Sequence, residues 1–310
     1  MKKLHLDTDL GGDIDDLCAL AMVLRWPEAV HLTGVTTVGE IGGRRAGYVR
    51  YVLGLEGRDD VPVAAGADNA GGFYPYFLGL PPEERYWPEP VAPFPTSVEE
   101  ALHLLKESIE QDATIVAIGP YTNLYLLDLQ HPGILAQAKL FLMGGYVYPP
   151  RPGYPAWGND MDFNVQVDIT SASRVLRQSG PTLIPLSVTV ETSLRGSHLA
   201  DLRNAGVLGR LLARQAELFA EDEQMAARFG ESCTALPQDM INFQHDPLAC
   251  AIALGWDEGI VLEELPLRVE EEDGWLTERV HAGEKPLRVV TRIDGPRFDE
   301  FWVRVITQQV

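Results

Sequence analysis

The chain has 310 residues, 45 acidic against 25 basic, and a formal net charge of −20. That balance argues against binding nucleic acid polymers, which needs cations to replace phosphate counterions, and against docking on anionic membrane surfaces. A hydrophobic content of 45% is that of a globular protein, long enough for one large α/β domain or two ordinary ones.

Leu4-His5-Leu6 reads as a short strand leading into an Asp/Gly-rich turn. Leu17 to Trp26 reads as a helix ended by Pro27, and β-branched Val30 to Val38 as a second strand. Arg44 to Gly57 is helical in pattern, and Val61 to Ala65 is a short strand. Thr96 to Gln111 is a helix, with Ser97 as N-cap and Glu100 three residues on, a capping box. Thr114 to Ile118 is a strand closed by Gly119-Pro120, Thr122 to Leu129 a helix, and Lys139 to Met143 a strand ending in Gly144-Gly145. Thr182 to Val190 is a further strand candidate. Ile260 to Val269, Trp275 to His281 and Leu287 to Ile293 read as antiparallel strands before a helix from Arg297 to Val310.

Strands alternating with helices predict a doubly wound α/β fold with an open, mostly parallel sheet and a small antiparallel extension near the C-terminus. No linker-like composition interrupts the chain, so residues 1–310 are expected to form a single domain. Gly66 to Pro95 and Tyr146 to Asp160 lack a regular pattern and are candidate binding loops. Cys18, Cys233 and Cys250 are odd in number and have no CxxC spacing, which argues against a disulfide framework or a zinc knuckle. The first residues build no signal-type apolar stretch, and no apolar run is long enough to span a bilayer. A cytoplasmic protein is the expectation.

Four segments could carry chemistry. Asp7-Thr8-Asp9-Leu10-Gly11-Gly12-Asp13-Ile14-Asp15-Asp16 packs five aspartates into ten residues at the end of the first strand. One or two would be ordinary turn and helix-start residues. Five crowd each other, since two carboxylates about 4 Å apart repel by roughly 4 kcal/mol at an effective dielectric of about 20. A hard cation relieves this, and the carboxyl end of a strand is where open α/β sheets bind ligands. Gln244-His245-Asp246-Pro247 precedes an apolar helical run. By itself it reads as an Asp N-cap with Pro at the first helical position and a buried, hydrogen-bonded histidine. Gly158-Asn159-Asp160-Met161-Asp162-Phe163-Asn164 interleaves amides and carboxylates suited to sugar hydroxyls, or to an ordinary loop. Gly119-Pro120-Tyr121-Thr122-Asn123 is a strand-to-helix turn.

In this order and context, DTDLGGDIDD, GPYTN, MGG followed by GN and DFN, and HDP resemble the inosine/uridine-preferring nucleoside hydrolases. Thr36-Thr37-Val38-Gly39 and Val61-Pro62-Val63-Ala64-Ala65-Gly66 extend the likeness over most of the chain. The resemblance implies calcium-dependent (Ca2+) hydrolysis of the N-glycosidic bond of ribonucleosides. Asp9, Asp16 and Asp246 would bind the metal through carboxylates and Thr122 through its backbone carbonyl. Asp9 would also take a proton from the attacking water. Asp15 would hold a ribose hydroxyl, with Asn159, Asp162 and Asn164 gripping the sugar. His245 would face the departing base as general acid. A homodimer or homotetramer is implied in the same way.

Three departures from the family pattern bear on the sugar. One extra residue separates the closing Asp pair from the first two aspartates, leaving Asp13 as an additional carboxylate. Glu40 stands beside the expected ribose position, where the family usually has Asn. Asp162 stands where a Glu usually precedes Phe-Asn. For the base, Phe73, Tyr74, Tyr76, Trp157, Met225 and Phe229 are aromatic or soft candidates that fix no preference. Two rivals remain: a nucleoside- or sugar-binding protein that has lost turnover, and a haloacid dehalogenase-like phosphatase suggested by Asp7-Thr8-Asp9.

Overall fold

The first strand, β1 (Lys2–Thr8), is buried from Leu4 onward and is paired on both sides within the main sheet. The computed structural model describes residues 1–68 and 79–307. Phe73, Tyr74 and Tyr76 lie outside the described residues.

Beside β1 run β2 (Val30–Thr37) and then β3 (Val63–Ala65) on one side. On the other side come β4 (Thr114–Ala117), β5 (Lys139–Met143) and β6 (Thr182–Ile184), all parallel. The order β3-β2-β1-β4-β5-β6 reverses direction between β1 and β4, which opens a crevice at the carboxyl ends of those two strands. Apolar side chains alternate to the two faces. Leu4, Leu6, Val116 and Ile184 join one buried cluster, while Ile115, Ala117, Leu142 and Leu183 join the other.

The C-terminal strands are fused to this sheet rather than appended to it. The last strand in sequence, β11 (Pro286–Arg292), pairs parallel with β6. Antiparallel β9 (Val261–Glu272) and β10 (Trp275–Val280) then extend the edge. A separate pair, β7 (Leu194–Arg195) and β8 (Met240–Asn242), is antiparallel.

The Ser97–Glu100 capping box forms as expected, on a helix spanning Val98–Glu110. The candidate strand Thr182 to Val190 does not run its full length. It ends at Ile184, and Pro185 leads into a helical turn, Leu186–Thr189. Every residue of this apolar segment is buried, so alternation could not separate strand from helix.

Two helices position the crevice. Asp15–Leu24 is buried at all ten positions, consistent with a sequence that is apolar all round after its first two residues. His245–Leu254 is almost as deeply buried and packs against it. Trp302, on the helix Gly295–Thr307, closes the far side by donating its Nε1–H to the carbonyl of Cys18 at 3.2 Å.

Candidate active site

The turn after β1 is held by a buried polar lattice. Asp7 Oδ1 accepts from Thr36 Oγ1 at 2.6 Å and from Asn123 Nδ2 at 2.8 Å. The same amide nitrogen donates to Thr37 O at 2.9 Å, and Asn123 Oδ1 accepts from Ala67 N at 2.9 Å. Asn123 therefore ties β1, β2 and the segment after β3 to the turn after β4. Burial pushes Asp7 up to about 7, against the pull of Thr36 and Asn123. His5, held between Ser108 and Thr36, is pushed down to about 3 by burial and is neutral scaffolding.

On this lattice the aspartates converge. Asp13, Asp15 and Asp16 each offer a carboxylate oxygen, and these oxygens lie within 4.8 Å of one another. Thr8 Oγ1 donates to Asp16. Asp15 and Asp16 sit in the first turn of one buried helix and Asp246 in the first turn of the other. The amide of Asp246 donates to Asp15 Oδ2 at 3.4 Å, so residues far apart in sequence meet at two helix N-termini. The positive ends of both helices favour negative charge there. Gly119 lies against Asp9: a Cβ on it would come within 2.7 Å of Asp9 Oδ1. The GPYTN turn thus gives Asp9 its space.

These groups line a cavity of about 250 Å³ with Asp162, Asn164, His245, Arg45, Trp157 and Met161. Burial is the main force on the carboxyls. It raises Asp9 to about 6, with Arg45 opposing and Asp13 adding to the rise. Burial and neighbouring carboxylates hold Asp15, Asp16 and Asp246 well above the usual carboxylate range. Among the described residues Arg45 is the one arginine or lysine on the cavity wall. Its Nε donates to Gly39 O at 2.8 Å and its Nη1 to Leu10 O at 3.3 Å. One guanidinium does not neutralise six carboxyls, and the oxygen-only donor set of the clustered aspartates fits a hard divalent cation.

His245 Nδ1 is 2.6 Å from Thr189 Oγ1, and burial lowers the imidazole to about 4. Although part of its ring surface is open to the cavity, it packs with Phe243 (centroids 5.2 Å apart) and Trp157 (6.5 Å). Phe229 completes this aromatic wall against Trp157 at 5.6 Å.

A family model described as inosine-uridine preferring nucleoside hydrolase matches residues 4–300. The chain belongs to this family. A pyrimidine-specific ribonucleoside hydrolase, RihA, from Salmonella arizonae is 31% identical over 218 residues, 66% of this chain and 65% of the relative. The chain thus aligns with just under two thirds of that relative's length. Among solved structures, a plant nucleoside hydrolase (the PpNRh1 enzyme) superposes with a TM-score of 0.78 at 19% identity, covering 99% of each chain. A purine-preferring ribonucleoside hydrolase from Gardnerella vaginalis gives 0.77 at 22% identity, covering 99% of this chain and 98% of that one. Both share the fold, including the mostly parallel sheet.

Of the residues nominated from the nucleoside hydrolase resemblance, Asp9, Asp15, Asp16, Asp162, Asn164, His245 and Asp246 stand together on the cavity wall. Three do not line it. Glu40 turns into the loop before the helix Arg44–Leu55, where it accepts from Thr37 Oγ1 (2.5 Å), Ile41 N (3.0 Å) and Ala46 N (2.7 Å). Thr122 starts the helix Thr122–Gln130 and donates its hydroxyl to Asp168 at 2.7 Å. Asn159 Nδ2 donates to Leu276 O at 3.1 Å. The helix carrying His245 begins at that residue, with Gln244 rather than Asp246 in the cap position. Arg45 was not nominated: one of two arginines opening a helix reads as solvated charge, and nothing local marks it as buried.

Proposed function

We propose that this chain hydrolyses the N-glycosidic bond of ribonucleosides to ribose and free base, with calcium at the acidic cluster. The observation that supports this most is the meeting of Asp15, Asp16 and Asp246 at two buried helix N-termini beside Asp9. Asp9, Asp16 and Asp246, with the carbonyl of Thr122, are the assigned ligands. When bound there, the ion lowers the pKa of water and orients it toward the sugar.

The chain's own residues do the rest. Asp9 accepts the proton of the attacking water. Asp15 accepts from a ribose hydroxyl. Asn164 donates its Nδ2 to Ile118 O and Met143 O, which leaves its Oδ1 as an acceptor for the sugar. Asn159, anchored on Leu276 O beyond the cavity wall, is assigned to the sugar on family likeness alone. Asp162 grips the sugar from the cavity wall. Glu40, held by three donors, shapes the turn that borders the ribose. Breaking the C–N bond builds positive charge on the ribose, and the surrounding carboxylates stabilise it. His245 is neutral in the free site; as the acid it takes up a proton, favoured by Asp13, and passes it to the leaving base, returning to the neutral form, a role worth about 10²–10⁴-fold. The acidic wall favours nucleosides over 5′-phosphorylated nucleotides.

The phosphatase alternative lacks support, because all five lysines are engaged elsewhere and none lines the cavity. The cavity draws on residues from 9 to 246, and we treat residues 1–310 as one functional unit. We assign a homodimer or homotetramer on family likeness. We assign the cytoplasm because three buried cysteines without a disulfide suit a reducing compartment. Among the described residues no helix is long and apolar enough to cross a membrane. The test is a nucleoside panel followed by free-base release, with and without chelator. Release abolished by chelation and restored by calcium is the expected result. Calcium-dependent riboside binding without release would instead establish the binding-protein reading.

A further inference from the structure

The sheet extension meets the loop after β5 through Glu278. Glu278 of β10 is 2% exposed, and its Oε2 accepts from the amide of Tyr146 at 3.1 Å. Asp162, 1% exposed, accepts through Oδ2 from the preceding amide, Gly145. Two buried carboxyls thus hang from consecutive amides in the loop after β5. Each keeps one oxygen, Glu278 Oε1 and Asp162 Oδ1, buried and without a partner. Gly144, at φ 139°, leaves room for this: its missing Cβ would sit 3.3 Å from Asp162 Oδ1.

Two ionised carboxylates in this dry space would repel without a cation between them. A proton kept on Glu278 would remove that repulsion and give Asp162 Oδ1 a donor. We propose that Glu278 is a positioning residue that keeps a proton and donates it to Asp162 Oδ1, fixing Asp162 as the anion that meets the sugar. This rests on Asp162 being the sugar-binding carboxylate and adds the group that orients it.

The electrostatics agree. Burial, then Asp162, pushes Glu278 up to about 8, while burial raises Asp162 to about 7 against backbone amides. Glu278 is the later of the two to lose its proton. The surrounding groups bring no compensating charge. Tyr121, from the turn after β4, gives its hydroxyl to Met143 O. Gln166 and Asn159 are neutral and hold Leu276. Asp160 acts on Tyr146. From the helix Ile169–Gln178, Arg177 donates to the carbonyl of Val269, opposite Glu278 in the ladder, and Arg174 is held by Asp128.

The test uses the full chain with calcium and uridine, inosine and an aryl riboside as probes, across about pH 6–9.5. In the native protein KM rises above about pH 8 as the shared proton leaves. Glu278→Gln, whose amide also donates, is expected to keep KM within about threefold and to lose that alkaline rise. Glu278→Ala is expected to raise KM about tenfold with kcat changed less than about threefold. Melting in chelator gives a second readout. A carboxyl with a raised folded pKa stabilises the fold while protonated and loses that contribution as pH rises through the folded value. Native stability therefore falls as pH rises toward about 8 and levels off above it, and Glu278→Gln flattens the fall. An alkaline rise in KM that persists in Glu278→Gln overturns the proposal, even if Glu278→Ala fails to fold. Native KM in Glu278→Ala, with KM raised in Asp162→Asn, also overturns it but leaves the role of Asp162 standing. Unchanged KM in Asp162→Asn removes the underlying reading instead.

Discussion

Replacing Asp13 by Asn should stabilise the metal-free protein. The oxygens of Asp13, Asp15 and Asp16 lie within 4.8 Å of one another. At that separation and an effective dielectric of about 20, each fully ionised pair repels by about 3.5 kcal/mol. Asp13 forms two such pairs, but burial and neighbouring carboxylates keep Asp15 and Asp16 protonated for part of the time. Discounting by half or more leaves an expected gain of about 2–3 kcal/mol, or some 5 °C in melting temperature. The assay is thermal unfolding of Asp13→Asn and native protein, each with chelator and with saturating calcium. Calcium at about a hundred times its Kd stabilises the native fold by about 2.7 kcal/mol. It also screens the cluster, so the advantage of Asp13→Asn should shrink or reverse. A loss of stability for Asp13→Asn in chelator would refute the repulsion and with it the reading of these aspartates as a site kept for a cation.

Glu40→Ala removes the acceptor for Thr37 Oγ1, Ile41 N and Ala46 N and should destabilise by about 1–3 kcal/mol. Its riboside KM should stay within about threefold, and a larger rise would put Glu40 in contact with substrate. Thr189→Val removes the hydroxyl beside His245 Nδ1. It should slow ordinary nucleosides by about tenfold and an aryl riboside by less, since a good leaving group needs little proton donation; equal losses would argue against His245 as an acid. Gly119→Ala places a methyl against Asp9 Oδ1 at 2.7 Å. Calcium affinity by calorimetry should weaken by about tenfold or more while the fold persists, and unchanged affinity would separate Asp9 from the metal.

What the sequence disclosed follows from how far apart the partners are. The aspartates after β1 are a local signal, and so is the Ser97–Glu100 cap. Their positions in the structure follow from strand and helix starts readable within ten residues. Some signals were present without being assigned. Over Gly206–Glu223, buried Leu208, Leu211, Leu212, Gln215, Ala216 and Phe219 recur at helical spacing. Asp168 caps Ile169–Gln178 through the amide of Ser171. Arg45 and Glu278 are different. Each lies in a charged stretch that reads as solvent-facing: RR at a helix start, and TER in an exposed hairpin. Only the packing of the helix on the β1 turn, or of β10 under the loop after β5, buries them.

That difference has a physical basis. Two helices with apolar residues on every side have to be buried, and here they are buried against each other. Their first turns then come together beside the β1–β4 crevice, and acidic residues there are favoured by two helix dipoles. The dipoles lessen the desolvation cost without removing it, as the raised pKa values of Asp15, Asp16 and Asp246 show. A fold needing only stability would place apolar residues at these turns and lose nothing in packing. Keeping carboxylates where burial opposes their charge makes sense when a cation binds, because the free energy of binding then offsets what the metal-free fold gives up.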